Sequence, residues 1–254
     1  MGAQITEARQ ATLMPEFLGR LTQMPIDHGV LEVHDVEFDP DAFFEGLADT
    51  PYTVIPTTEG LLSVVKERPQ TAGPLDNSGR TLSVGFHTDG LGVTPRPEIL
   101  LLVCKTPGTV EGITTEFADS RRFLPLLSPA EQERARHSQI SFETRGGETL
   151  VYPLVNINPR SGDETVILGV GERVNIFAEE GYRQSHDADV ALRAHLMDVA
   201  QQSVVRRHDW VGAAVGQTVV SENLTYPHQR VNKANLADPN RELYRVWLAR
   251  VPGR

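Results

Sequence analysis

An imidazole and a carboxylate stand two residues apart in the segment His87-Thr88-Asp89-Gly90. Side chains of an extended chain alternate between its two faces, so His87 and Asp89 point to the same side. A metal site needs a further ligand, and the best candidate is His228, in Tyr226-Pro227-His228-Gln229-Arg230. Two histidines and one carboxylate on one face of a metal, with the other positions open, form the facial triad of non-haem iron(II) oxygenases.

Taken alone, a His-x-Asp pair is weak evidence, because such pairs also occur by chance in surface turns. The remaining histidines are expected to be surface or structural residues. They are His28, His34, His137, His186, His195 and His208. Two tryptophans, Trp210 and Trp247, lie on candidate strands and are expected in the core rather than around a substrate.

Composition limits the classes of protein that this chain can belong to. Its 254 residues, 39% hydrophobic, are enough for one large domain over residues 1–254, and no apolar run is long enough to span a membrane. The formal net charge of −10 argues against a nucleic-acid partner. The single cysteine, Cys104, cannot form an internal disulfide. With no secretory signal visible, the sequence predicts a cytoplasmic protein without a membrane partner.

The elements that must position the candidate ligands are mostly short strands. Helices are predicted over residues 5–24, 41–48, 60–65 and 187–204, and a capping box at Ser128 and Glu131 marks another helix start. Strands are predicted at 51–56, 81–87, 98–105 and 112–119, at several places between 140 and 177, and at 204–211, 218–223 and 243–251. The polar segment 67–80 is predicted to be a loop, either a lid or an ordinary surface loop. Many short strands with few helices predict a mainly β chain with flanking helices, a β-sandwich or jelly roll.

Five sequence elements occur in an order that resembles one enzyme family. They are Gly85-Phe86-His87-Thr88-Asp89-Gly90, Gly112-Ile113-Thr114-Thr115, Glu222-Asn223, His228-Gln229-Arg230 and Arg241 to Arg245. Together they resemble the taurine dioxygenase and clavaminate synthase-like superfamily of Fe(II)- and 2-oxoglutarate-dependent oxygenases. The short length and the first two elements look more like carbapenem synthase than taurine dioxygenase. The resemblance covers roughly residues 50 to 250.

This resemblance implies a double-stranded β-helix (jelly-roll) core with Fe(II), O₂ and the cosubstrate 2-oxoglutarate as its cofactors. By position, His87, Asp89 and His228 would bind iron. Arg245 would hold the far carboxylate of 2-oxoglutarate, because a guanidinium fork matches a carboxylate. Arg241 is the runner-up for that role.

The other cosubstrate contacts implied by the resemblance are hydroxyl groups and a second arginine. Thr114 would give the far carboxylate a hydroxyl donor, with Thr115 as the alternative if the alignment shifts by one residue. Arg230, two residues after His228, would lie near the other end of the cosubstrate.

The implied reaction is oxidation of an unactivated C–H bond in a small polar substrate, most simply hydroxylation, with desaturation or cyclisation as alternatives. Succinate and CO₂ would be released. The substrate class suggested is amino-acid-derived or secondary-metabolite, as in antibiotic biosynthesis. Partners other than the small molecule are not implied, and a monomer and a homo-oligomer both stay open.

Two other classes of function also fit a metal-binding jelly roll. A cupin-like enzyme of non-redox type would need neither Arg245 nor Thr114. A non-enzymatic domain could bind 2-oxoglutarate or another small molecule without forming succinate.

Overall fold

The computed structural model describes residues 14–23, 29–34, 36–57, 59–66, 84–143, 147–169, 174–178, 186–233 and 237–251. The predicted loop 67–80 and the first part of the predicted helix 5–24 lie outside these ranges. The helices are α1 Met14–Gln23, α2 Pro40–Gly46, α3 Phe123–Leu126, α4 Pro129–Arg136 and α5 His186–Gln202. Short 3-10 turns cover Leu47–Asp49 and Ser120–Arg122.

The strands of the first half of the chain are β1 Val30–Val33, β2 Tyr52–Val54, β3 Ser63–Lys66, β4 Val84–His87, β5 Ile99–Thr106, β6 Ile113–Ala118 and β7 Ser138–Glu143. Those of the second half are β8 Thr149–Pro153, β9 Val155–Ile157, β10 Glu164–Val166, β11 Val174–Ala178, β12 Val204–Asp209, β13 Thr218–Glu222, β14 His228–Asn232 and β15 Glu242–Arg250.

Two antiparallel sheets make up the body of the fold. One has the order β1-β13-β5-β15-β2, with β3 also paired to β15. The other has the order β12-β6-β14-β4. Strands β7 to β11, which fall between β6 and β12 in the chain, form two small sheets, β11-β7-β8 and β10-β9. The mainly β, jelly-roll prediction is confirmed.

Alternation along the strands divides the core into an interior and two outer layers. Leu100, Leu102 and Cys104 of β5 pack with Phe117 of β6 and Leu243 of β15 between the two sheets. The other face of the first sheet packs on α1 and α2, and the outer face of the second packs on α5. In the regular parts of the two main sheets, the interior positions follow from these residues, since each second residue of a strand shares a face.

The capping-box prediction is confirmed in detail. The Ser128 hydroxyl accepts from the backbone N–H of Glu131, and the Glu131 carboxylate accepts from the backbone N–H of Ser128. The predicted helices 41–48 and 187–204 correspond to α2 with its 3-10 turn and to α5. The helix at 5–24 is confirmed for Met14–Gln23.

One predicted element was wrong, and three short ones, β1, α3 and β14, were not predicted. The predicted helix at 60–65 is instead the strand β3, in which Val64 and Val65 pair with Tyr244 and Leu243 of β15. Their β-branched side chains suit a strand, and pairing with β15 outweighs the weak helical pattern. Strand β14, which begins at His228, had no predicted counterpart, because five residues are too few to show a period.

Candidate metal centre

The three candidate ligands meet at one end of the sheet β12-β6-β14-β4. His87 is the last residue of β4 and His228 the first of β14, and the two stand directly opposite in the strand pairing. Their rings are 4.4 Å apart by centroid. Asp89 follows β4 by two residues, and its Oδ1 lies 3.5 Å from His87 Nε2. One ligand atom from each residue can be chosen so that all three lie within 4.8 Å of one another.

This donor set fits a divalent metal ion. Two ligand atoms bound at about 2.1 Å and at a right angle are about 3 Å apart, close to the spacing between His87 and Asp89. Two neutral imidazoles and one carboxylate together carry a single negative charge, so a bound dication would keep a net positive charge. Such N,N,O donors suit first-row metals such as iron(II).

The hydrogen bonding and burial of the ligands prepare them for a metal. His87 Nδ1 lies 2.9 Å from the carbonyl oxygen of Gly85. That oxygen can only accept, so the proton is on Nδ1 and Nε2 keeps its lone pair on the side of Asp89. Burial, reinforced by the nearby His87, lowers the pKa of His228 to about 3 and keeps it neutral.

Asp89 stays ionised although it is only 7% exposed. Burial by itself raises the pKa of Asp89. The positive charge of Arg245, the two imidazoles and the hydrogen bond from the Trp247 indole lower it, and their combined effect is larger. The pKa of Asp89 therefore falls to about 2. Trp247 Nε1 donates to Asp89 Oδ2 over 3.0 Å, and Arg245 Nη1 lies 3.7 Å from the same oxygen. The expectation that Trp247 is only a core residue missed this contact, which no local pattern signals.

The glycine of the His-x-Asp-Gly segment has a steric role. Gly90 has φ +74°, a region that favours glycine. A Cβ at this position would lie 2.4 Å from the ring of Pro97. The backbone can therefore make a sharp turn immediately after Asp89, and this turn lets the carboxylate face the two histidines.

The strand register shows which of the two candidate threonines faces the interior. Phe117 belongs to the interior cluster and stands opposite His228, and Arg230 stands opposite Thr115. Thr115 therefore shares the interior face with the metal ligands, whereas Thr114 points to the outer face. Thr115 Oγ1 accepts a hydrogen bond of 2.9 Å from Trp210 Nε1, which leaves its own hydroxyl proton for another acceptor.

The two candidate arginines have different surroundings. Arg245 lies in β15, close to the candidate metal ligands: its Nε donates to Ser63 Oγ over 3.2 Å, and its guanidinium stacks on the Trp247 ring at 4.9 Å. Arg241 immediately precedes β15 and is 2% exposed. A Cβ placed on Gly108 would lie 3.6 Å from Arg241 Cδ and 3.6 Å from the Trp210 backbone, so Arg241 lies near Trp210.

The other histidines engage carboxylates rather than this centre. His208 Nδ1 is 2.8 Å from Glu32 Oε1, and His195 Nδ1 is 2.7 Å from Glu131 Oε1. His34 and His137 contact Glu32 and Glu133. His28 and the side chain of His186 lie outside the described residues.

A double antiparallel sheet with two histidines and an aspartate at one end of its interior is a jelly-roll arrangement that could hold a metal ion. A model of the taurine catabolism dioxygenase TauD, TfdA family matches residues 15–247. The chain belongs to this family, and the predicted resemblance to its Fe(II)- and 2-oxoglutarate-dependent oxygenases is confirmed. The closer likeness to carbapenem synthase stays a prediction.

Solved structures with the same fold include PvcB from Pseudomonas aeruginosa, 20% identical, with a TM-score of 0.70 over 94% of this chain and 82% of that chain. Another is asparagine oxygenase in complex with Fe(II), 2S,3S-3-hydroxyasparagine and succinate, 15% identical, with a TM-score of 0.66 over 92% and 78%. A putative alpha-ketoglutarate-dependent taurine dioxygenase from Burkholderia xenovorans is 16% identical, with a TM-score of 0.66 over 100% and 91%. No curated protein sequence matches this chain.

Proposed function

We propose that His87, Asp89 and His228 bind iron(II) in this dioxygenase and that the enzyme oxidises a small polar metabolite. The observation that carries the proposal is the convergence of three ligands, from two strands and a turn, with atoms within 4.8 Å of one another. When bound, iron and 2-oxoglutarate supply the activation of O₂ for C–H oxidation, with release of succinate and CO₂.

The chain itself holds and orients the reacting groups. His87 keeps its proton on Nδ1, toward Gly85, and presents Nε2 as a ligand. Trp247 and Arg245 hold Asp89 Oδ2, which leaves Oδ1 directed at His87. His228 is buried at the wall of the interior, packed against Phe117 at 5.8 Å. Burial of Asp89 and His228 keeps bulk water away from this part of the site.

The positions of the two arginines favour Arg241, with Thr115, for the far carboxylate of 2-oxoglutarate. That carboxylate is separated from the chelating keto acid end by two methylene groups. An anion held by Arg245 would instead lie beside the metal, because Arg245 is already 3.7 Å from Asp89. Arg241 and Thr115 both lie close to Trp210, and no contact of either with Asp89 is seen among the described residues. This reverses the order that the sequence suggested for Arg245 and Arg241.

Arg230 completes the cosubstrate side of the site in this proposal. It stands two residues after His228 on the interior face and opposite Thr115. This position lies between the metal ligands and Thr115. We therefore propose that Arg230 lies alongside the cosubstrate rather than at one of its two ends.

A small polar, amino-acid-derived substrate is the substrate class that we propose. The structurally similar asparagine oxygenase is complexed with a hydroxylated amino acid, 2S,3S-3-hydroxyasparagine, beside Fe(II) and succinate. PvcB, which is also similar in fold, is an Fe, alpha-ketoglutarate dependent oxygenase from an isonitrile synthetic pathway. These two relatives support the class and not a particular molecule. Hydroxylation is the simplest outcome for such a substrate.

The first experiment is an anaerobic titration of metal-free protein with Fe(II) and 2-oxoglutarate, followed in the visible range. A weak charge-transfer band should appear with the wild type and be lost in Asp89→Ala. Succinate release would then be screened against amino acids and their derivatives. Absence of the band from well-folded wild-type protein would overturn the assignment of an iron and 2-oxoglutarate centre and favour the cupin-like alternative.

A binding domain without catalysis makes a different prediction. It would give the band but no succinate with any substrate in the presence of O₂. We also infer one oxygenase domain across the chain, acting in the cytoplasm, since the family match spans residues 15–247 and the sequence has a single cysteine. Among the described helices, none has the length and apolar character needed to cross a bilayer.

A further inference from the structure

Asn223 makes an unusual set of contacts around the metal ligand Asp89. It lies in the turn between β13 and β14 and has no exposed surface. Its side-chain Oδ1 accepts from the backbone N–H of Asp89 over 3.0 Å. Its Nδ2 donates to the backbone carbonyl of Asp89 over 3.0 Å and to that of Pro97 over 2.9 Å. One carboxamide thus satisfies both backbone polar groups of the residue that supplies the carboxylate ligand.

The same amide closes the loop that follows Asp89. The two carbonyls that it binds, those of Asp89 and Pro97, stand at the beginning and the end of this loop. The backbone N–H of Asn223 donates to the carbonyl of Glu98 over 2.8 Å, which adds a further tie at the loop's end. Residue 89 belongs to no strand, so without these bonds its backbone would depend on the turn alone.

Asn223 also connects Asp89 to the strand of another ligand. It precedes His228 by five residues, and the turn between them is fixed by Glu222. The Glu222 carboxylate accepts from the Thr225 N–H over 2.9 Å, and the Glu222 carbonyl accepts from the Tyr226 N–H. The turn from Asn223 to His228 is therefore held by hydrogen bonds within the protein.

We propose that Asn223 is a positioning residue that pre-organises the metal centre by fixing the backbone of Asp89 against the turn leading to His228. This inference rests on the proposed assignment of the metal ligands. Protein groups that orient metal ligands typically contribute about 10- to 100-fold to metal affinity. Without Asn223, metal binding would have to order the Asp89 turn, and affinity would fall by that amount.

The chemistry of the site requires an amide. An aspartate at position 223 would still accept from the Asp89 N–H, but its second oxygen would face two carbonyl oxygens without a proton between them. Alanine would remove all three side-chain bonds. Asn223→Asp therefore preserves the shape and exchanges only the donor, whereas Asn223→Ala tests the whole clamp.

Asp238 provides a control of the same kind, a buried side chain that ties the backbone of a loop. It has no exposed surface, and its Oδ2 accepts from the backbone N–H of Thr109 over 2.8 Å and from that of Val110 over 3.2 Å. Both groups lie in the turn between β5 and β6, away from the turn that leads to His228. Asp238→Ala should therefore cost folding free energy and leave the position of Asp89 unchanged.

The test is titration of the metal-free full chain with Co(II), read as a dissociation constant and as the visible ligand-field spectrum. Urea unfolding of each variant is measured in parallel. We expect Asn223→Asp and Asn223→Ala to weaken Co(II) binding about 10- to 100-fold and to alter the spectrum. Asp238→Ala should bind within about twofold of wild type despite its loss of unfolding free energy. Unchanged affinity in the Asn223 variants, or an equal loss in Asp238→Ala, would overturn the proposal.

A measurement on the wild type alone gives an independent answer if a variant does not fold. In metal-free protein, the amide proton of Asp89 should exchange as slowly as the amides of the paired strands, because Asn223 Oδ1 holds it. Fast exchange would show that no clamp exists before the metal binds. Failure of the metal assignment itself looks different: wild type and Asp89→Ala would then bind Co(II) equally weakly.

Discussion

The indole N–H of Trp247 donates a hydrogen bond of 3.0 Å to Oδ2 of Asp89, across 158 positions of sequence. Trp247 lies on the interior face of β15, and Asp89 lies in the turn after β4, so the bond connects the two main sheets. This hydrogen bond occupies Oδ2 of the carboxylate. It leaves Oδ1, which lies 3.5 Å from His87 Nε2, for a metal. The orientation of the carboxylate is thus decided by a residue from the other sheet.

Replacing Trp247 by phenylalanine should weaken metal binding about tenfold. The substitution keeps an aromatic ring beneath Arg245 but removes the donor, and a hydrogen bond to a charged group contributes about 1.5–3 kcal/mol. Since about 1.4 kcal/mol is a tenfold change, this agrees with the lower end of the range for groups that orient metal ligands. Co(II) titration of metal-free protein measures the effect. Trp210→Phe, whose indole bonds to Thr115, is the control and should retain Co(II) affinity.

Arg241→Gln should raise the concentration of 2-oxoglutarate needed for half-saturation of the charge-transfer band by at least about tenfold. Truncating one partner of a buried charge pair costs about 2–5 kcal/mol. Arg245→Gln should instead act mainly on metal affinity, because its guanidinium faces Asp89. If Arg245→Gln has the larger effect on 2-oxoglutarate binding, the order suggested by the sequence is right and our assignment is wrong.

Thr115→Val should weaken 2-oxoglutarate binding about tenfold, whereas Thr114→Val should have little effect on it. The reason is the strand register, which places the Thr115 hydroxyl in the interior and the Thr114 hydroxyl on the outer face. A net hydrogen bond of about 1.5 kcal/mol gives the expected size. Thr115→Ser retains the hydroxyl and should restore binding. Equal effects of the two valine variants would contradict the register argument.

Glu131 should make the stability of the chain depend on acid pH. The hydrogen bond from the Ser128 hydroxyl, and then that from His195, lower the pKa of Glu131 to about 2. The ordinary pKa of a glutamate is about 4.3, so its ionised form stabilises the fold above about pH 4.3. This contribution is lost as the pH falls toward about 2.

Glu131→Gln should therefore unfold at lower urea concentration than wild type near neutral pH, and the difference should shrink as the pH falls from about 5 toward 2. Glu133→Gln, a more exposed glutamate in the same helix, is the matched control and should differ little from wild type across this range. A constant difference at all pH values for Glu131→Gln would show that the capping geometry, and not its charge, is what matters.

The sequence by itself determined the parts of this protein that depend on local pattern or on residue type. The pairing of an imidazole and a carboxylate in His87-Thr88-Asp89 marked the candidate site, although Asp89 lies in the turn after β4 and not in an extended chain as the spacing predicted. The capping box at Ser128 fixed the start of α4. The ordered motifs identified the family, because proteins that share a fold keep their site residues in the same order along the chain. Alternating and amphipathic patterns indicated a mainly β fold with flanking helices.

Only the tertiary structure decided how distant segments meet. Moving a strand by one residue exchanges its two faces, so no local signal could choose between Thr114 and Thr115 before the pairing of β6 with β14 was known. The same holds for Trp247 at Asp89 and for Asn223, whose partner lies 134 positions earlier. Hydrogen bonds of this kind depend on the packing of two sheets and on the path of a turn, and neither leaves a periodic trace in the sequence.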